Sequence, residues 1–403
     1  MDLFAETSNN ILVMGVGSTG LRVACMGAID AAAAADTGEC LSSAWSVAHT
    51  DPTELIATGL DRKLLLDIAD GPFAFQCAER SLGKHADDLA ALASGHTVVI
   101  LVGALGDPHA SMLLPILAGA FRKHNHFVCV IGSDPFQFEG QIRADCAAVA
   151  ASRIQSESDL FLRLSTKSFI ESGVTKDMGV SSTHIINKGL SYTGLSEDSP
   201  LAAFYTASDR MLYSATQCTI GILDGGMDGS GLSHKAIVQA LCGTHPICVG
   251  MGTAKGVNAP VSALEIALEN IQINQSELEH CAMRAGDPDV NHAAKLRTSG
   301  STGLISNIAP CETASRWDDS HGATQLSQTT RNIVAVLLAG QELSLREVET
   351  MNAAVHAIFP VRPVVLRQRL RPLLQDEAIC MLLIRFAGSR NIIPIESAAA
   401  TLQ

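Results

Sequence analysis

The chain has 403 residues, of which 47% are hydrophobic and 17% charged, and its formal net charge is −13 at pH 7. This composition predicts a globular protein of two domains, and the acidic balance disfavours nucleic acid and anionic bilayers as partners. No apolar run reaches the about 20 residues of a spanning helix, and residues 1–10 lack the basic segment of a signal peptide, so we expect a cytoplasmic protein without direct membrane insertion.

The first half of the chain alternates short apolar runs with helical stretches. Strands are predicted at 11–15, 43–48, 97–102 and 127–131, with helices at 20–35 and 112–124. Continuous apolar strands alternating with helices indicate a parallel sheet that is covered on both faces, as in Rossmann-like α/β domains. Ligands of such sheets bind at the carboxyl ends of the strands.

A long helix is predicted at 200–224, because its apolar residues recur at roughly helical spacing. Beyond a glycine-rich break, the pattern predicts a smaller α/β unit with helices at 233–242, 260–271 and 344–358 and strands at 246–251, 331–338 and 377–386. Residues 275–328 are rich in Ser, Thr, Gly, Asn and Asp, which indicates a surface insertion. The predicted domains are therefore 1–199, the central helix 200–224, and 225–390 with this insertion, followed by a tail at 391–403.

The cysteines and histidines predict no special chemistry. The eleven cysteines are irregularly spaced and form no CxxC pair, which is typical of reduced thiols buried in a cytosolic protein. His124 and His126 lie two residues apart without a nearby third ligand. We expect no metal site.

Six segments, in one order along the chain, resemble the FtsZ branch of the tubulin superfamily. The segments begin at Ile11 (ILVMGVGSTG), Ala48 (AHTDPTEL), Asp134 (DPFQFEG), Ala203 (AFYTASD), Gly250 (GMGTAKG) and Leu338 (LAGQELSLREVE). The resemblance implies an N-terminal nucleotide-binding-like domain of GTPase type, a long central helix and a smaller α/β C-terminal domain. It also implies GTP or GDP as the ligand and head-to-tail self-assembly into filaments.

The second glycine loop of that family is changed in this chain. The family reads Gly-Gly-Gly-Thr-Gly-Thr-Gly, whereas this chain reads GDPHASM from Gly106 to Met112. Asp107 places a carboxylate beside the expected phosphates, and two unit charges 4 Å apart repel by about 4 kcal/mol at an effective dielectric of 20. Pro108 has no N–H to donate. We therefore expect a degenerate phosphate cradle, with His109 and Met112 adding bulk.

Other positions of the resemblance are retained or half retained. If a nucleotide is still bound, the matching positions are Gly15, Gly17, Ser18, Thr19, Gly20, Arg22, Asp51, Gly106, Glu139, Arg143, Phe204, Ser208 and Asp209. Arg22 replaces a family asparagine. The glycines have two open interpretations, which are tight strand-to-helix packing and residual binding of a nucleotide or another anion.

The catalytic loop of the family also differs. Its Asn-x-Asp-Phe-x-Asp sequence places acids on the neighbouring subunit's nucleotide, and the matching positions here include Gly231 and His234. No catalytic residue is therefore expected, unless His234, Asp224 or Asp228 takes that role in a re-registered loop.

Several functions remain open at this point. The sequence favours an FtsZ-like filament scaffold without GTP hydrolysis, acting in cell division or membrane remodelling. The alternatives are an active GTPase with rearranged loops and a regulator that co-assembles with an active FtsZ; a membrane adaptor is a further possible partner. A dinucleotide-binding dehydrogenase also fits the Gly15–Gly20 pattern alone, but not the segments after residue 130.

Overall fold

The chain divides into two compact units, which span Met1–Gly226 and Met227–Gln403. The computed structural model describes residues 10–36, 43–67, 74–166, 200–224, 241–242, 247–270, 330–340, 343–358, 364–370, 374 and 376–386. The predicted insertion and tail, and almost all of the helix predicted at 233–242, lie outside these residues.

The first unit is a parallel α/β domain. Its strands are β1 (Ile11–Val16), β2 (Ser43–His49), β3 (Lys63–Leu65), β4 (Val98–Ala104), β5 (Phe127–Ser133) and β6 (Leu160–Leu164). Its helices are α1 (Gly17–Asp36), α2 (Pro52–Ala57), α3 (Ala74–Lys84), α4 (Ala86–Ala93), α5 (Pro108–Lys123), α6 (Gln141–Glu157) and α7 (Pro200–Leu223), with a short 3-10 helix at Gln137–Glu139.

The six strands pair in the order β3-β2-β1-β4-β5-β6, and every pair is parallel. Strand β1 is buried along its whole length, as the continuous apolar run at 11–15 predicts. Helix α5 covers one face of the sheet, with Leu113, Leu117 and Phe121 in the core. Helix α7 packs on α1, β4 and β5. The predicted Rossmann-like architecture is confirmed.

The second unit is smaller and mixed. It contains β7 (Ile247–Lys255), α8 (Ala259–Glu269), β8 (Thr330–Ala339), α9 (Leu345–Ile358), β9 (Val364–Leu370) and β10 (Glu377–Phe386). Strand β10 pairs antiparallel with both β7 and β8, and β8 pairs parallel with β9. Helix α8 lies so close to β7 that a Cβ on Gly252 would stand 2.0 Å from the Ala263 carbonyl oxygen. The core of this unit lies between α8, α9 and the sheet.

Two helix starts differ from the sequence prediction by three residues or more. Helix α5 begins at Pro108 rather than at residue 112, because Asp107 caps it and proline is favoured in the first turn. Helix α1 begins at Gly17 rather than Gly20. The sequence analysis also did not predict β3, β6, β9 or helices α2, α3, α4 and α6.

Within the described part of the chain, no helix combines the length and the apolar character that crossing a bilayer requires.

Candidate functional site

A cavity of about 520 Å³ opens in the first unit at the carboxyl ends of its strands. Ala104 and Ser133, the last residues of β4 and β5, both line it, which is the position predicted for a ligand of a parallel sheet. The predicted site residues that line the cavity are Ser18, Thr19, Arg22, Gly106, Asp107, Pro108, Glu139, Arg143, Ser208 and Asp209.

The other predicted positions do not line the cavity. They are Gly15, Gly17, Gly20, Asp51, His109, Met112 and Phe204. Asp51 instead caps α2, where its carboxylate accepts a hydrogen bond from Thr53 N at 2.7 Å, and this bond lowers the pKa of Asp51. Gly231 and His234 lie outside the described residues.

The Asp107 carboxylate occupies the N-terminus of α5. Its Oδ1 accepts hydrogen bonds from His109 N at 2.8 Å and from Ala110 N at 3.3 Å. These N–H groups belong to the set that a helix N-terminus offers to an anion. Pro108 stands at the position where a missing N–H costs least. The chain therefore supplies its own anion to this helix.

The same carboxylate borders the first glycine turn. Gly17 has φ +71, and a Cβ built on it would lie 3.0 Å from Asp107 Oδ2 and 2.9 Å from Ala110 Cβ. A side chain at this position would be strained both by the backbone conformation and by these neighbours. The turn and the cap are thus packed against each other.

Gly15 and Gly20 are explained by close packing. A Cβ on Gly15 would stand 2.0 Å from the Gly20 carbonyl oxygen, and a Cβ on Gly20 would stand 2.4 Å from the Val102 carbonyl oxygen. Strand β1, helix α1 and strand β4 therefore approach one another closely at these positions. The packing interpretation of these two glycines is sufficient without a ligand.

Neither His109 nor Met112, which were expected to add bulk to the cradle, lines the cavity. Ala110 and Met112 are buried in the core of the first unit. His109 Nδ1 lies 3.4 Å from Thr50 Oγ1, outside the cavity lining. Because 108–112 is the first part of a helix, its side chains follow the helical period and only part of them face the site.

Arg22 and Asp209 form a buried ion pair across the cavity wall. Arg22 Nε donates to Asp209 Oδ2 at 2.6 Å, and Nη2 donates to Oδ1 at 3.3 Å and to Thr19 Oγ1 at 3.1 Å. Only 9% of Arg22 and 1% of Asp209 is exposed. Both oxygens of Asp209, a predicted ligand-binding position, are engaged by this arginine.

Glu139 is the centre of a second group. Its Oε1 accepts from Arg143 Nη1 at 2.5 Å and from the Tyr205 hydroxyl at 3.0 Å, while Oε2 accepts from Phe136 N at 2.8 Å. Burial, with the Glu139 charge as a smaller cause, raises the pKa of Tyr205 to about 12. The rings of Phe136 and Phe138 stack beside it at 5.0 Å. Both oxygens of Glu139 are therefore engaged, whereas the Arg143 side chain remains 47% exposed.

Sequence reasoning missed several residues of the lining, namely Thr53, Glu54, Ala57, Ala104, Ser133, Asp134, Pro135, Phe136 and Tyr205. Glu54 belongs to α2, a helix that the sequence analysis does not predict. Asp134, Pro135 and Phe136 stood inside the quoted DPFQFEG segment, which was the available signal for them. Asp134 is paired with Arg163 at 2.8 Å.

The sequence analysis also did not single out His49, which contacts the cavity residue Ser18. Its Nδ1 accepts the Asp51 N–H at 2.9 Å, which assigns the proton of the neutral ring to Nε2. Nε2 lies 3.3 Å from Ser18 Oγ and 3.4 Å from Glu54 Oε2. With Nδ1 bonded as an acceptor, His49 is not arranged as a general base for Ser18.

The lining is acidic overall. It contains the five carboxylates of Glu54, Asp107, Asp134, Glu139 and Asp209, against the two guanidinium groups of Arg22 and Arg143. Both arginines are already paired with carboxylates. Among the described residues, no group of three or more His, Cys, Asp or Glu side chains is arranged to hold a metal ion.

Known proteins resemble this chain in sequence and in fold. No protein family model matches the chain. The cell division protein FtsZ 2 of Rhizobium meliloti (strain 1021) is 21% identical over 276 residues, which are 66% of this chain and 70% of that protein. An empty FtsZ dimer from M. jannaschii aligns with a TM-score of 0.61 at 14% identity, over 94% of this chain and 89% of the other. CetZ2 from Haloferax volcanii, in a protofilament bound to GTPγS, aligns with a TM-score of 0.50 at 14% identity, over 97% of each chain.

Proposed function

Because its fold and its sequence match make this chain a member of the FtsZ/tubulin superfamily, we propose that it is an FtsZ-like cytoskeletal protein that assembles head to tail into filaments without hydrolysing GTP. Similar solved proteins include an FtsZ dimer and a CetZ2 protofilament, which supports self-association as the mode of action. The filament would act as a scaffold in cell division or membrane remodelling.

The observation that carries this proposal is the Asp107 carboxylate at the N-terminus of α5. It already accepts the N–H groups of His109 and Ala110. A phosphate placed there would lose those donors and would meet a like charge, at a cost of about 4 kcal/mol for unit charges 4 Å apart at an effective dielectric of 20. The partial exposure of Asp107 lowers this figure through solvent screening.

The remaining lining supports the same conclusion. Five carboxylates surround the cavity, and the two arginines that line it are engaged by Asp209 and Glu139. A triphosphate brings several negative charges, whereas the positive charge of each lining arginine is already offset by a carboxylate, Asp209 for Arg22 and Glu139 for Arg143. This charge balance supports the proposal that GTP and GDP are not held here, so that assembly would be constitutive or would be controlled by a partner, such as an active FtsZ or a membrane adaptor.

Calorimetry and electron microscopy test this proposal together. We expect purified full-length protein to form filaments without added nucleotide, visible in electron micrographs, and to give no binding heat with GTP or GDP. Asp107→Gly removes the carboxylate and frees the helix N-terminus, so its affinity for GDP should rise at least about tenfold, which corresponds to 1.4 kcal/mol. Asp107→Asn is the matched control, because asparagine retains the cap and removes only the charge.

Two results would contradict the proposal. Micromolar binding of GTP by the wild type would show that the carboxylate does not close the site. Phosphate release that rises steeply with protein concentration would support the alternative of an active GTPase whose site is shared between subunits.

A further inference from the structure

Four polar side chains follow one side of α7 at a spacing of four residues. They are Tyr205, Asp209, Tyr213 and Gln217, and we call them the α7 ladder. Four residues turn a helix by about 400°, so side chains at this spacing lie one above the other along a slowly winding line. A buried helix that carries such a line needs a partner for each polar group.

Each member of the ladder has a partner in the structure. Tyr205 donates to Glu139 Oε1 at 3.0 Å, and Asp209 accepts from Arg22 Nε at 2.6 Å. The Tyr213 hydroxyl donates to Asp30 Oδ2 and accepts from Gln217 Nε2, the latter at 2.8 Å. Two of these partners, Arg22 and Asp30, belong to α1.

The α1–α7 contact is closely packed around these bonds. Arg22, Asp209 and Gln217 are buried, with 9%, 1% and 6% exposed. Trp45 of β2 packs on the ring of Tyr213 with centroids 6.4 Å apart. A Cβ on Gly27 of α1 would lie 2.2 Å from the Trp45 ring, so α1, β2 and α7 meet at this point without free space.

We propose that the α7 ladder is a lock that fixes α7 within the first unit by side chains of this chain alone, with two bonds to α1, of which Arg22–Asp209 is the principal one. Buried ion pairs are retained in some proteins because they specify one arrangement, since every alternative leaves a charge without its partner in the interior. The ion pair thus fixes the position of α7 along α1. The Tyr213 hydroxyl, eight residues from Tyr205, adds a directional hydrogen bond.

The lock has a consequence for the cavity and for the chain beyond it. Tyr205 and Asp209 also line the cavity, so an entering ligand that claimed either group would compete with the lock. Helix α7 ends at Leu223, and the first unit ends at Gly226, so α7 is the segment by which the chain leaves this unit. A filament that assembles without GTP hydrolysis requires an α7 whose position does not depend on a ligand. Only this consequence of the lock rests on the proposed function.

Hydrogen exchange of the full-length protein, measured without nucleotide, tests the lock. Arg22→Ala leaves Asp209 buried without its arginine, so amides of 200–223 should exchange at least about tenfold faster than in the wild type, while those of β4 and β5 keep their protection. The reversed pair Arg22→Asp with Asp209→Arg should recover at least part of that protection. Arg122→Ala is the matched control, because it removes a pair with Asp159 whose side chains are 40% and 29% exposed.

A second variant keeps the test decisive if Arg22→Ala does not fold. Tyr213→Phe deletes one hydroxyl, and Trp45, as the only tryptophan in a Trp317→Phe background, reports on the contact. We expect a shifted Trp45 emission and faster exchange of α7. Exchange of 200–223 within twofold of the wild type in these variants would overturn the lock, whereas GTP binding by the wild type would remove the proposed function and leave the exchange result intact.

Discussion

At the scale of the residue, Tyr205 joins the cavity to α7 through its hydroxyl. The hydroxyl donates to Glu139 Oε1 at 3.0 Å. Burial, the larger cause, and the Glu139 charge, the smaller one, together raise the pKa of Tyr205 from 10.0 to about 12. A raised pKa means that the folded state favours the protonated phenol. The stability gained from this group is therefore complete below pH 10 and is lost as the pH rises towards 12.

The upward direction of this pKa shift gives a prediction for alkaline pH. The absorbance of the wild type minus that of Tyr205→Phe isolates one phenolate, and we expect its midpoint near pH 12 rather than near 10. Tyr205→Phe should also lose less stability than the wild type between these pH values. The chain has three tyrosines, so the subtraction is practicable. A midpoint at 10 would show that the hydroxyl is neither desolvated nor held by Glu139.

Residue types were predicted more easily than residue partners. The sequence indicates that Asp107 and Pro108 disagree with a phosphate cradle, because charge and the missing N–H are properties of single residues. It does not indicate that Arg22 pairs with Asp209, since these residues stand 187 positions apart and no local pattern links them. The Asp107 cap is an intermediate case, because Asp-Pro before an apolar run is a helix-start signal whereas the match to the family's glycine loop predicts a loop at the same residues.

At the scale of the element, the start of α9 carries its own side-chain cap. The Ser344 N–H donates to Glu347 Oε2 at 2.8 Å, and Glu347 N donates to Ser344 Oγ at 3.3 Å. This reciprocal pair is a capping box, which satisfies donors that the first turn leaves open. The helix also carries the buried residues Met351 and Val355, so its cap is coupled to the core of the second unit.

Removing this cap should lower the stability of the second unit by a modest amount. We expect Ser344→Ala to reduce the free energy of unfolding by about 1 kcal/mol, and Ser344→Asp to restore most of it. Urea denaturation followed by circular dichroism gives the difference. An alanine variant as stable as the wild type would mean that water satisfies the first turn equally well.

Elements with strong apolar patterns were predicted closely, and short or amphipathic ones were not. Strand β10 was predicted at the same bounds that it has in the structure, because its run from Ile379 to Ile384 is apolar throughout. Strand β3 has three residues and alternating burial, which is too short to produce a pattern. Helix α6 was missed because Ala147, Ala150 and Ala151 form its buried side, and small residues give little contrast in hydropathy.

At the scale of the whole molecule, the net charge of −13 acts against any assembly of like copies. Raising the ionic strength from about 0.01 M to about 0.1 M shortens the Debye length from about 30 Å to about 10 Å. We therefore expect the sedimented fraction at fixed protein concentration to rise with potassium chloride over this range. Sucrose at equal osmolality serves as the control, and a fraction that falls with salt would indicate an interface held by opposite charges.

The cap on α5 has a physiological implication. Asp107 is tethered to the helix that it caps, so the local concentration of this anion is fixed by the chain and does not follow any metabolite pool. Under the proposed function, a subunit built in this way would not respond to the GTP concentration of the cell at this position. Its timing would have to come from synthesis, degradation or encounter with another protein.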